Sequence, residues 1–111
     1  MAILNTSLQT TATVISPVLS TDMAITVMFF CNNNIPDPLD PNAGKQFIDI
    51  YVVPSGGSAA NENRIANQIP IDAGDTFTFG TERLVLSTGE TVYASATDNN
   101  IISATISYVV I

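Results

Sequence analysis

The chain has no histidine and no tryptophan, a single cysteine, and only three basic residues, Lys45, Arg64 and Arg83. Without histidine it lacks the side chain that most often moves protons near neutral pH and the commonest nitrogen ligand for metals. Without tryptophan it lacks the broad aromatic platform on which sugar rings stack. Cys31, alone, forms no intrachain disulfide, and its place after the apolar run MAITVMFF suits a buried, unreactive thiol. Ten acidic residues against three basic ones give a formal charge of -7. That charge repels phosphate backbones and anionic lipid, so neither nucleic acid nor a membrane is expected as a direct partner. The opening MAILNTSLQT carries no basic residue and no long apolar run, which argues against a signal peptide or membrane span and for synthesis in a cytoplasm.

What the chain does have is apolar content, 46% hydrophobic against 12% charged over 111 residues. That is one globular domain, residues 1–111, with room for one core and little for an elaborated cleft. No window sustains the i, i+3, i+4, i+7 spacing of an amphipathic helix; period-two alternation recurs instead. In IISATISYVVI, Ile102, Ala104, Ile106, Tyr108 and Val110 share one face while Ser103, Thr105 and Ser107 share the other. TVYASAT, TFTFG, RLVLS and QFIDIYVV alternate likewise, and ATVIS, MAITVMFFC and RIANQIPI complete the set. Seven or eight short strands in one small domain predict an all-β, antiparallel β-sandwich of immunoglobulin-like or jelly-roll-like type. The expected core comprises Val27, Ile48, Ile50, Phe77, Phe79, Leu84, Leu86, Val92, Ile102, Ile106 and Tyr108. Residues 1–9, with β-forming side chains but little apolar surface, are expected to extend from the domain and lie across a neighbour.

Two segments share a pattern: AGDTFTF at 73–79 and TGETVYA at 88–94 each place glycine, a carboxylate and threonine before an alternating strand. Glycine supplies a left-handed turn residue and threonine suits a strand's wet face, so turns that launch strands account for every residue. A catalytic pair of Asp75 and Glu90 would lack a base, an activated nucleophile and an aromatic platform, and no catalytic residue is assigned. The loop CNNNIPDPLDPNAGK brings Asp37 and Asp40 together with Asn32, Asn33 and Asn34, oxygen donors of the kind calcium takes. Its spacing does not match a calcium loop, so Asp37 and Asp40 are minor candidates beside a simply solvated loop, and no metal or cofactor is expected. DNN at 98–100 reads as a tight turn. Arg64 and Arg83 are expected to pair with acidic neighbours at the surface.

MAITVMFFC is apolar on both faces, with only Thr26 polar. A strand of a two-sheet sandwich normally has one wet face. Either the long loop at 32–45 or another subunit must cover it. Strict alternation puts Met28 and Phe30 on the outer face, and with Tyr108, Val109 and Ile111 of the closing strand they are the candidate interface residues.

Residues 52–111 carry a Gly-Ser loop (Ser55 to Ser58), IPIDAGDT (Ile69 to Thr76), LVLSTGE (Leu84 to Glu90), VYASA (Val92 to Ala96) and ATISY (Ala104 to Tyr108). In this order they resemble the C-terminal half of small β-sandwich virion proteins of tailed bacteriophages. The resemblance implies a non-enzymatic virion component, without cofactor, that docks in many copies on other virion proteins and on itself, as capsid decoration or in the neck, tail or baseplate. The expected location is the virion, after assembly in the host cytoplasm. The alternative is a carbohydrate- or host-surface-binding module of a tail fibre or baseplate on the same fold.

Overall fold

The computed structural model describes residues 2–17, 20–80 and 84–111. Arg83, expected to pair at the surface, lies outside them. The chain adopts the all-β sandwich that alternation predicts, with nine strands among the described residues rather than seven or eight. They are β1 (Ala2–Ser7), β2 (Thr13–Val14), β3 (Met23–Asn32), β4 (Gln46–Val53), β5 (Arg64–Ile71), β6 (Thr76–Phe79), β7 (Leu84–Leu86), β8 (Thr91–Ala96) and β9 (Ile102–Val110). A 3₁₀ turn, Asn61–Asn63, precedes β5.

The strands form two antiparallel sheets. In the front sheet the order is β1-β9-β3-β6, with β7 pairing on the same edge of β3 as β6. In the back sheet the order is β2-β8-β4-β5. The apolar sides of the two sheets meet in one core that includes Met28, Phe30, Ile48, Ile50, Leu86, Val92, Ile102 and Ile106, all buried. Phe77, Phe79, Leu84 and Tyr108 pack against it, partly buried, while Leu8 and Ile15 close it from the connections flanking β2. The ninth strand is β1. Ala2–Ser7 does not extend from the domain but pairs in regular register along β9 of the same chain.

One strand departs from strict alternation. β3 pairs with β9 through Ile25↔Tyr108 and then Val27↔Ser107, so Thr26 is an extra residue, a β-bulge. Its hydroxyl donates to the Ser107 carbonyl at 3.1 Å. Before the bulge Met23 and Ile25 point inward; after it Met28 and Phe30 do. The bulge moves Met28 and Phe30 from the outer face, where alternation put them, into the core. By the same shift Val27, expected in the core, is half-buried on the outer side, where the chain leaving β6 at Gly80 passes over it.

Candidate docking surface

The repeated glycine-carboxylate pattern forms two turns, and they lie at opposite ends of the sandwich. Gly74 and Gly89 have φ of +80° and +85°, and the Asp75 and Glu90 amides donate to the carbonyls of Asp72 (2.9 Å) and Ser87 (3.0 Å). Positive φ at the third residue is what a type II turn requires, hence glycine. The first turn is tied to the end of β3, since the Asn32 amide donates to the Asp75 carbonyl and the Gly74 amide to the Asn32 carbonyl. The second sits beyond the other end of β3, where the Thr88 amide donates to Asp22 Oδ1 at 2.9 Å. Gln46 pairs with Ile71 and Val53 with Thr91, so the length of β4, roughly 23 Å, separates Asp75 from Glu90. The two carboxylates are not a pair, and Glu90 instead accepts from the Ser87 amide at 2.6 Å.

The acidic loop is organised by its own turns. Asp37 Oδ1 accepts from the Leu39 amide at 2.9 Å, and Asp40 Oδ1 from the Asn42 amide at 3.0 Å. The buried Asn32 side chain donates to the carbonyls of Gly44 and Ile71, closing the loop on its base. Asp37, Asp40, Asp72 and Asp75 line an open depression of about 350 Å³, and Lys45 stands 3.5 Å from Asp72. Among the described residues no three acidic, histidine or cysteine side chains are grouped to hold a metal ion. Cys31 is half-buried at the end of β3 and its thiol faces Asn33 Oδ1 at 3.7 Å.

On the back sheet Arg64 pairs with no carboxylate among the described residues. Its guanidinium lies over the Tyr51 ring at 5.2 Å, donates to the Tyr51 hydroxyl at 2.9 Å and to Asn67 Oδ1 at 3.1 Å. Hydrogen bonding to that hydroxyl holds Arg64 above its ordinary pKa. The guanidinium also covers Tyr51, an outer-face residue that is buried nonetheless.

The outer face of the front sheet differs from all of this. No residue in β1, β3, β6, β7 or β9 is charged. Register places Val85, Ala24 and Val109 in one row across the face, and Val27, Ser107 and Ile3 in the next. Phe29, Thr105 and Asn5 form the third row. Ile3 is 66% exposed, Val85 58%, Phe29 41% and Val109 38%, so the loop at 32–45 does not cover this face. Of the residues expected at an interface, Val109 lies in it and Ile111, exposed, lies just beyond its edge. Tyr108 points inward and is half-buried. Met28 and Phe30 are core residues, and their place outside is taken by Phe29 and Val27. Ile3 and Val85 were readable as outward residues, since each stands between inward neighbours, Ala2 and Leu4 or Leu84 and Leu86.

No protein-family model matches the chain, and no match is found among curated proteins or solved structures.

Proposed function

We propose that this chain is a non-enzymatic structural subunit of a tailed-bacteriophage particle and docks in multiple copies through the outer face of its front sheet. The observation that carries the reading is that face: five strands without a charge, exposing Ile3, Phe29, Val85 and Val109. Large apolar side chains exposed together on an uncharged set of strands are costly to leave in water and favour cover by a neighbour. The phage context rests on the resemblance of residues 52–111. The alternative, a sugar-binding module, is less well supported, because Arg64 covers the Tyr51 ring, and Tyr93 and Tyr108 are half-buried.

The test is incorporation. Particles assembled with Phe29→Asp or Val85→Asp are expected to lack the protein by mass spectrometry, while each variant remains folded by circular dichroism. Normal incorporation of both variants overturns the docking surface. A hydrolytic activity lost in the Asp75→Asn, Glu90→Gln variant with its fold intact overturns the structural reading.

A further inference from the structure

Four edges bound the two sheets, and three of them are blunted. Among the described residues β2 has two residues, β6 has four and β7 three, and β5 carries Pro70, two register shifts and Gln68 at a φ of +53°. Short strands, proline and bulges are the devices that stop an edge from templating another strand. β1 has none of them: six residues, no proline, no charge and no register shift.

The hydrogen-bond phase of that edge follows from one bond. The Leu8 amide donates to the Ile102 carbonyl at 2.9 Å, continuing the register Ser7↔Ser103. In an antiparallel ladder bonded and non-bonded pairs alternate. Thr6, Leu4 and Ala2 therefore bond to β9, while Ile3, Asn5 and Ser7 turn both their N–H and C=O groups to the open edge. The side chains of these three are also exposed.

We propose that β1 pairs antiparallel with β1 of a second copy across a two-fold axis at Asn5. In this register Asn5 faces Asn5 of the other copy and Ile3 faces Ser7, so every outward main-chain group finds a partner. Three bonded pairs exchange two bonds each, about six in all. The edge is self-complementary, since its three outward residues are spaced symmetrically about Asn5, and this points to a second copy as occupant. Two chains of net -7 repel in most orientations, but no strand of the front sheet contributes a carboxylate to this edge. The pairing also joins the two front sheets, whose described strands carry no charge, into one continuous sheet. It rests on the multi-copy reading above and specifies one contact within it.

The two-fold puts the Asn5 Cα atoms about 5.5 Å apart, inside the range a disulfide spans, roughly 4.4–6.8 Å. In a Cys31→Ala background, Asn5→Cys is expected to form disulfide-linked dimers about tenfold faster than Ser58→Cys, a surface control, because the thiols meet at high effective concentration. Asn5→Pro removes an amide that points away from β9, which an edge strand tolerates. It is expected to abolish the dimer in sedimentation while leaving the melting temperature close to that of the parent. Cross-linking of Asn5→Cys at the control rate, or a dimer that survives Asn5→Pro, overturns the pairing. Either result leaves the face proposal to be judged separately by particle incorporation of Phe29→Asp.

Discussion

Phe29 and Phe30 are neighbours in sequence with opposite environments: Phe30 is buried, its ring 6.4 Å from that of Phe77, and Phe29 is among the most exposed aromatic groups on the front face. Phe30→Asp would bury a carboxylate with no partner, at a cost of several kcal/mol, a large part of the ~5–15 kcal/mol that holds a domain of this size together. It is expected to unfold the protein at ordinary temperature. Phe29→Asp changes a surface position and is expected to shift stability by only about 0.5 kcal/mol, so denaturant titration of the two variants distinguishes the faces directly. The inward set on β9 and β4 was legible because both strands alternate without interruption in the residues that matter, Ile102 to Ile106 and Ile48 to Ile50. The inward set on β3 was not. Its parity changes at Thr26, and TVMFF contains neither glycine nor proline to mark a bulge. The bulge is set by how β3 meets β9, a contact between segments about eighty residues apart, which local pattern does not encode.

At the scale of elements, turn chemistry was the most legible feature. Both glycine-carboxylate-threonine segments start strands, and Asn100, within the DNN turn, takes a φ of +61°. Gly89→Ala forces a side chain into the left-handed region and towards Ser55 Oγ, 2.5 Å from the added Cβ. The hydroxyl can rotate away but the backbone strain stays, so a loss of about 1–2 kcal/mol is expected in thermal unfolding. The acidic loop illustrates the limit of composition. Its oxygen-rich sequence admits a cation, but Asp37 and Asp40 each spend an oxygen on the amide two residues ahead. With any calcium affinity no tighter than the concentration used, binding adds at most about 0.4 kcal/mol. Melting in millimolar calcium is therefore expected to match melting with a chelator. A large shift abolished by Asp40→Ala would show that the loop rearranges into a site. β1 was the element least legible, because AILNTS owes its strand to a partner about a hundred residues away.

For the whole molecule the decisive feature is where charge is absent. The chain carries -7, yet the five described strands of the front sheet carry nothing, so the described carboxylates lie in the connections and, at Asp49, on the back sheet. Association through the front sheet has two opposed terms. Burial of Ile3, Phe29, Val85 and Val109 is favourable and nearly indifferent to salt, whereas repulsion between two anionic bodies is long-ranged and strongly salt-dependent. At 10 mM salt the screening length is about 30 Å, comparable with a molecule of 48 × 28 × 21 Å, so every carboxylate of one copy acts on the other. At 0.15 M it falls to about 8 Å, and only charges at the contact itself count, of which these strands have none. Self-association measured by sedimentation equilibrium is therefore expected to strengthen several-fold between these conditions. An interface held by Lys45 or Arg64 against carboxylates of a neighbour would weaken instead. The sign of the salt dependence thus decides whether copies meet through the neutral sheet or through the few cations on the rest of the surface.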